Sequence, residues 1–316
     1  MFTEIRSFTD SQQHAGSILG WRQTYDQLGR GSLNSELWQA SSERFQIFQE
    51  VLNKRVVQHG IAPKGRLCIA LLLGAVQAPV IQQHEVGAQN VVLLRDGEEF
   101  LLHSPESTRF LGVNVDTVRF AKLAALELPA KQLDMLRKMP QVSVPELALQ
   151  RIQRRISPLF RSLLLKDSAA ISASTEKMIE DNLLDAFLDL FSCAVDERRS
   201  RHGNLTVSSY LVKRSQELAL ENIDTPLTVL DLCEKLRVSR RTLQNSFQAV
   251  SGIRPLEYLR NLRLNAVRRR LMNTSIAQHN VGEVAGEMGF YHLSHFATNY
   301  LELFGEYPSE TKRAQS

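Results

Sequence analysis

The fold of the C-terminal third is decided by residues 225–252, which read TPLTVLDLCEKLRVSRRTLQNSFQAVSG. After Thr228, apolar residues recur at helical spacing, which predicts a short helix. A tight turn follows at Arg237, and the Ser239 hydroxyl can accept a hydrogen bond from the free backbone N–H groups of a second helix. Gly252 ends that helix. Two short helices joined by a tight turn, the second with a polar outer face, are typical of a helix-turn-helix.

A second unit of the same kind follows at residues 280–310, NVGEVAGEMGFYHLSHFATNYLELFGEYPSE, with its turn at Gly289 and its end at Gly305. Between the units lies PLEYLRNLRLNAVRRRLM, residues 255–272, with proline in the first helical turn. A helix of this length spans ~27 Å. Successive major grooves on one side of DNA are about 34 Å apart. A rigid spacer of this size can therefore place two recognition helices in adjacent grooves.

The charge of the chain is concentrated in the same region. The 316 residues carry a net charge of +4. From Arg198 onward there are 17 Lys and Arg against 11 Asp and Glu, a net charge of +6. The first 197 residues carry 21 basic and 23 acidic side chains, a net charge of −2. A basic C-terminal third indicates a polyanionic partner.

Upstream, residues 1–115 are predicted to be β-rich. Residues 44–51, RFQIFQEV, alternate in polarity, and the apolar run from Leu67 to Val76 is bounded by Pro and Gly. Two apolar runs flank Asp96-Gly97, a hairpin signal. Many short strands separated by Gly and Pro predict a cupin-like barrel or sandwich.

Residues 116–197 change to a helical period. Asp116 is placed to cap a helix, and two apolar stripes farther along predict an antiparallel helical hairpin. The hairpin either packs on the β region alone or also forms the seam of a homodimer. Residues 198–206 lack an apolar period and are predicted to be an exposed linker. The expected class is thus α+β: a sensory or dimerisation domain at 1–197 and an all-α domain at 207–316.

The sequence gives little support for an enzyme, a metal-binding protein or a membrane protein. The sequence has no G-x-S-x-G, P-loop, H-E-x-x-H or Rossmann fingerprint. His59, His84 and His103 do not have the spacing of a cupin metal set, and His292 and His295 have no third ligand nearby in the sequence. The ten-residue apolar run is far short of the about 20 residues that cross a bilayer. We therefore expect a cytoplasmic protein without metal or cofactor and without a membrane contact.

Residues 207–313 resemble the DNA-binding domain of the AraC/XylS family of bacterial transcription regulators. The matching residues are Ser239, Leu243, Phe247, Gly252, Pro255, Tyr258, Leu259, Arg263, Leu264, Ala285, Gly289, Phe290, Ser294, Phe296, Gly305 and Pro308. Two upstream stretches, WRQTYDQLGRGSLNSELW and KGRLCIALLLG, resemble the sensory domain of ethanolamine-utilisation regulators. The resemblance implies a homodimer that binds double-stranded promoter DNA and RNA polymerase, mainly to activate transcription. It does not identify a small-molecule effector.

The outer faces of the two recognition helices supply the expected base contacts. These are Arg240, Arg241, Gln244, Asn245 and Gln248 in the first unit, and His292, Ser294, His295, Thr298 and Asn299 in the second. Arg suits guanine, and Gln or Asn suits adenine. The expected phosphate contacts are Ser239, Arg260, Arg268, Arg269, Arg270 and Lys312. Arg263 is expected either to contact phosphate or to join the two units through an ion pair.

The second recognition helix departs from the family. The family usually has Arg where Thr298 stands, and basic residues where Leu301 and Glu302 stand. The first unit is therefore expected to read the stronger part of the site. One alternative keeps the DNA-binding domain but makes the N-terminal domain a ligand-free oligomerisation or protein-partner module of a repressor or dual regulator. Another makes the N-terminal domain catalytic.

Overall fold

The computed structural model describes residues 1–165, 171–195, 202–275 and 278–314, with the backbone alone at 202–204. It confirms the predicted α+β class: an antiparallel β sandwich with a helical hairpin precedes an all-α region with two helix-turn-helix units.

Two antiparallel sheets form the sandwich. The strands are β1 (Phe2–Phe8), β2 (Arg22–Gln27), β3 (Ser35–Ser41), β4 (Phe45–Leu52), β5 (Val56–Ile61), β6 (Arg66–Gly74), β7 (Val80–Ile81), β8 (His84–Glu85), β9 (Asn90–Leu94), β10 (Glu99–Ser104), β11 (Thr108–Asp116) and β12 (Gln141–Ser143). The seven-stranded sheet has the order β1-β3-β4-β11-β6-β9-β12, and the five-stranded sheet has the order β2-β5-β10-β7-β8.

The two sheets share a core between them, and each also packs against helices on its outer face. Alternate side chains of β4 illustrate this: Phe45 and Ile47 join a core shared with the helical hairpin, whereas Phe48 and Leu52 join the core between the two sheets. On the far side of the five-stranded sheet, Val57 joins a cluster with side chains of the C-terminal helices. Because strand side chains alternate between faces, this layering buries strands that the alternation alone predicts to be half exposed.

The prediction of a β-hairpin at Asp96-Gly97 is wrong. A turn does lie there, with Gly97 at φ +65°, but the two strands join different sheets. Strand β9 pairs with β6 and β12, whereas β10 pairs with β5 and β7. The turn signal is local, and it does not specify which strands pair.

The helices of the N-terminal region are α1 (Ser11–Ser17), α2 (Thr117–Glu127), α3 (Ala130–Lys138), α4 (Glu146–Leu165) and α5 (Ala173–Ser192). Asp116 caps α2 as predicted, accepting a hydrogen bond from Arg119 N at 2.7 Å. Helices α4 and α5 form the predicted hairpin and pack on the seven-stranded sheet. The strand β12, which interrupts the helical stretch, and the short α1 were not predicted.

The predicted linker is only partly described. Residues 196–201 lie outside the described residues. Helix α6 (His202–Glu221) begins inside the expected linker, so residues 202–206 are helical rather than irregular.

The C-terminal region contains α6, α7 (Val229–Leu236), α8 (Arg240–Ser251), α9 (Pro255–Met272), α10 (Val281–Glu287) and α11 (Leu293–Phe304). The predicted boundaries are confirmed by their caps. Ser239 Oγ accepts a hydrogen bond from Thr242 N at 3.1 Å, and Gly252 and Gly305 end their helices in the left-handed conformation. Pro255 is the first residue of α9, the predicted spacer.

Gly112 provides a test of the sandwich core. It lies opposite Phe48 in the ladder between β11 and β4, and a Cβ built on it would lie 2.3 Å from the Phe48 ring. Gly112→Ala is therefore expected to overpack the core and to lower the free energy of unfolding by ~1–3 kcal/mol. Gly16→Ala in α1, where a Cβ meets nothing within 4 Å, is the matched control. Chemical denaturation of both variants checks this, and an equal effect of the two substitutions would contradict the packing.

Candidate nucleic-acid interface

The outer face of α8 carries five exposed polar side chains. They are Arg240, Arg241, Gln244, Asn245 and Gln248. Among the described residues, none of these five makes a side-chain hydrogen bond or ion pair. Because Leu243, Phe247 and Val250 are buried on the opposite face, the polar face is fixed toward solvent.

Two arginines stand where they oppose the helix dipole. Arg240 and Arg241 are the first two residues of α8, and its first turn contains no acidic residue. Cations near a helix N-terminus cost stability, typically ~0.3–1 kcal/mol each. Because they form no ion pair with a carboxylate in the described part of the chain, these guanidinium groups are available to an external anion.

The outer face of α11 is less available. His292, Ser294, His295 and Thr298 are exposed, as predicted. However, Thr298 Oγ1 donates to Ser294 O at 3.1 Å, and Asn299 Nδ2 donates to His295 O at 2.7 Å. Two of the five side chains are thus bonded to their own helix.

The structure corrects the roles of Arg268 and Arg269. Both were predicted to contact phosphate, yet both face the N-terminal domain. Arg268 is 8% exposed, and its Nε donates to Asp10 Oδ2 at 2.7 Å. Arg269 binds Asp26, a residue 1% exposed. Their charges are neutralised within the chain, so in this arrangement neither is free to bind DNA.

The other predicted phosphate contacts differ from one another. Ser239 and Lys312 are exposed. Arg270 is exposed and lies 3.7 Å from Glu287 Oε2. Arg260 is half-buried, and its Nε has no hydrogen-bond partner among the described residues.

Arg263 contacts the second unit through an aromatic ring and makes no ion pair with the residues that the structure describes. Its guanidinium lies 4.9 Å from the centroid of the Phe290 ring, at the turn of the second unit. A cation over an aromatic face is stabilised by the ring quadrupole. The residue therefore connects α9 to the second helix-turn-helix.

A polar seam fixes α9 to the N-terminal domain. Asn265 Oδ1 accepts from Gln27 N at 2.9 Å, and Asn265 Nδ2 donates to Gln27 O at 2.8 Å. Asn261 Nδ2 donates to Leu28 O at 3.1 Å. Gln27 Nε2 also donates to Leu303 O at 2.6 Å, and Gly31 N donates to Glu302 O at 2.9 Å. The loop after β2 thus holds both α9 and the end of α11.

A buried chain of side chains extends the seam. His103 Nε2 lies 3.0 Å from Tyr258 Oη, and Tyr258 Oη donates to Gln216 Oε1 at 2.9 Å. Burial lowers the pKa of His103 to about 3. The imidazole is therefore neutral at pH 7, and its hydrogen bond joins β10 to α9.

Sequence reasoning missed the acidic half of this seam. Asp10 caps α1 and also binds Arg268, and Asp26 is a single acidic residue in a strand. Neither belongs to a motif. The cap signal at Asp10 was detectable, but no local pattern links it to an arginine 258 residues away.

Comparisons with known proteins concern mainly this C-terminal region. Residues 232–314 match the family model of the helix-turn-helix domain. A XylDLEGF operon transcriptional activator of Pseudomonas putida is 38% identical over 93 residues, 29% of this chain and 29% of that protein. A probable thc operon regulatory protein of Rhodococcus erythropolis is 38% identical over 88 residues, 28% of this chain and 26% of that protein.

A solved transcriptional regulator of Chromobacterium violaceum, described as having an AraC-type DNA-binding domain, is 30% identical. The match covers 34% of this chain and 92% of that chain, with a TM-score of 0.31. The chain spans under a third of the length of the two curated relatives, so the similarity concerns that shared region alone. The resemblance of the N-terminal part to ethanolamine-utilisation regulators stays a prediction.

The described residues contain neither a membrane span nor a metal-binding cluster. No helix there is long and apolar enough to cross a membrane. No group of three or more His, Cys, Asp or Glu side chains in that part of the chain is arranged to hold a metal ion.

The buried His103 of the seam predicts that the folded protein loses stability in acid. The folded-state pKa of His103 is about 3, against an ordinary value of 6.5. Between these values the unfolded chain binds more protons, so the stabilisation that the neutral His103 contributes is fully present above pH 6.5. It falls below that pH by up to ~1.4 kcal/mol per pH unit. His103→Gln removes this contribution and is expected to flatten the dependence.

Urea denaturation between pH 7.5 and 5 measures the slope. Some slope is expected to persist in His103→Gln, because burial also lowers the pKa of His59. His292→Gln, at an exposed histidine that immediately precedes α11, is the control for the same change outside the seam. If His103→Gln kept the wild-type slope, the imidazole would not be buried and neutral.

Proposed function

We propose that this protein is a sequence-specific DNA-binding transcription regulator of the AraC/XylS type. Its two helix-turn-helix units would enter successive major grooves of promoter DNA. The proposal extends to the whole protein what the match over residues 232–314 supports for that region. Such a protein would act in the bacterial cytoplasm, as a homodimer and without catalysis. The Pseudomonas putida relative is named as a transcriptional activator, which favours activation.

The observation that carries the proposal is the division of arginines between α8 and α9. Those of α9 that face the N-terminal domain are paired with buried carboxylates. Those at the start of α8 have no partner among the described residues and oppose the helix dipole. A fold that neutralises its interior charges and leaves this pair open has a binding surface for a polyanion.

The same face suits base reading. Arg241 can donate two hydrogen bonds to O6 and N7 of guanine, and Gln244 or Asn245 can pair with N6 and N7 of adenine. Backbone contacts would come from Ser239, Lys312, Arg260 and Arg270. We propose that the first unit supplies most of the discrimination, because α11 has no Lys or Arg and satisfies two of its polar side chains internally.

Arg241→Ala tests the base-contact role. The operator is first recovered by incubating wild-type protein with sheared genomic DNA and sequencing the bound fragments. On that operator the variant is expected to lose ~1–3 kcal/mol of binding free energy, because a bidentate base contact is removed. Its affinity for random DNA should fall much less. Fluorescence anisotropy on both duplexes, over a series of salt concentrations, gives the two values.

Arg270→Ala is the matched control, since it removes one exposed charge of the proposed backbone-contacting set. It should weaken binding to both duplexes alike and reduce the salt slope by ~1. Equal losses on operator and random DNA for Arg241→Ala would contradict the assignment. Failure of the wild-type protein to enrich any sequence would contradict the proposed function.

A further inference from the structure

A large cavity lies between the five-stranded sheet and α6, apart from the DNA-facing helices. Its volume is about 810 Å³. Pockets for small molecules commonly measure about 300–1,000 Å³. The floor belongs to the N-terminal sandwich and the roof to the first helix of the C-terminal region, so the space exists only while the two are packed together.

Strand alternation produces the floor. Thr24, His59 and Leu101 lie side by side on β2, β5 and β10, and each lines the cavity. Ile61, two residues after His59 on β5, lies on the same face of the sheet and also lines the cavity. The side chains of Tyr25 and Phe100, at alternate positions of β2 and β10, join the sandwich core instead. The floor is therefore a separate surface from the interior of the sandwich.

Two buried polar atoms in the lining have no hydrogen-bond partner among the described residues. One is Oγ of Ser209, a residue of the roof that is 7% exposed. The other is His59 Nδ1 in the floor. The contrast with Ser215 on the same helix is direct, because Ser215 Oγ donates to Leu211 O at 2.7 Å. Leaving a buried polar group unpaired is unfavourable, so both atoms favour an occupant that bonds them.

Charge is confined to the mouth. The charged side chains of the lining, Arg22, Glu99, Lys213 and Glu217, are exposed or half-exposed. Deeper inside, burial lowers the pKa of His59, which leaves that ring neutral at pH 7. An ion placed there would lose its hydration without gaining a counterion, which is costly. Apolar contacts come from Ile61, Val80, Leu101 and Leu220.

We propose that this cavity binds an uncharged small molecule with an apolar body and a hydroxyl group, held by Ser209 and His59. A hydroxyl both donates and accepts, so it can satisfy either atom. The ligand would bridge the sandwich and α6, whose Val212 and Ala219 pack in one cluster with Phe247 of α8. An effect of the ligand on DNA binding rests on the proposed function, whereas binding itself does not.

Isothermal titration calorimetry on the full-length protein tests the site, with 2-naphthol as the probe. Naphthalene-2-sulfonate, which has the same rings but a permanent charge, is the chemical control. Wild-type protein is expected to bind 2-naphthol at least tenfold more tightly than the sulfonate. Ser209→Ala should weaken 2-naphthol binding at least fivefold, and Ser215→Ala should leave it unchanged.

His59→Leu is a second variant with the same expected loss, and circular dichroism verifies that each variant is folded. Equal affinities of the Ser209→Ala and Ser215→Ala proteins would overturn the assignment to this cavity. Tighter binding of the sulfonate, or no heat from 2-naphthol, would overturn the ligand class. Because no DNA is present, these outcomes are distinct from a failure of the proposed function.

Discussion

The rest of the structure depends on the burial of α9 from three sides. Leu259 and Leu262 of its first half pack in the core of the first helix-turn-helix, and Leu264, Val267 and Leu271 pack in the core of the second. The third side faces the N-terminal domain. Buried polar side chains need partners within the protein, and Asn261, Asn265, Arg268 and Arg269 find theirs in the N-terminal domain. One spacer helix thus sets the positions of both units and of the sandwich.

The burial of α9 distinguishes arginines that are paired within the protein from arginines that are available to a ligand. The count of basic residues marks the C-terminal third as a surface for a polyanion, but it treats all arginines alike. Burial of α9 assigns Arg268 and Arg269 to carboxylates of the sandwich, and Arg263 to the Phe290 ring. Arg240 and Arg241 stay unpaired among the described residues. The positive surface that we propose for DNA binding is therefore smaller than the net charge of +6 suggests, and it centres on the first unit.

Whether the sequence predicts a feature depends on how far apart in the chain the interacting residues lie. Ser239, Gly252 and Pro255 act within a few residues, so the helix boundaries around them are predicted correctly. The turn at Gly97 is local as well, but strand pairing is not, and the hairpin prediction fails there. The role of Arg269 depends on Asp26, 243 residues away. The exposed faces of α8 and α11 were predictable because they need only the helical period, whereas the seam and the cavity beneath α6 arise from packing between distant segments.

The most direct test of the account is a methylation-protection footprint of the wild-type protein on its recovered operator. Two helix-turn-helix units fixed to one spacer should protect guanines in two successive major-groove segments about one helical turn apart. Protection should be stronger in the segment read by α8, which can be identified from its loss in the Arg241→Ala protein. A single protected segment, or two segments that both respond equally to that substitution, would contradict the central claim.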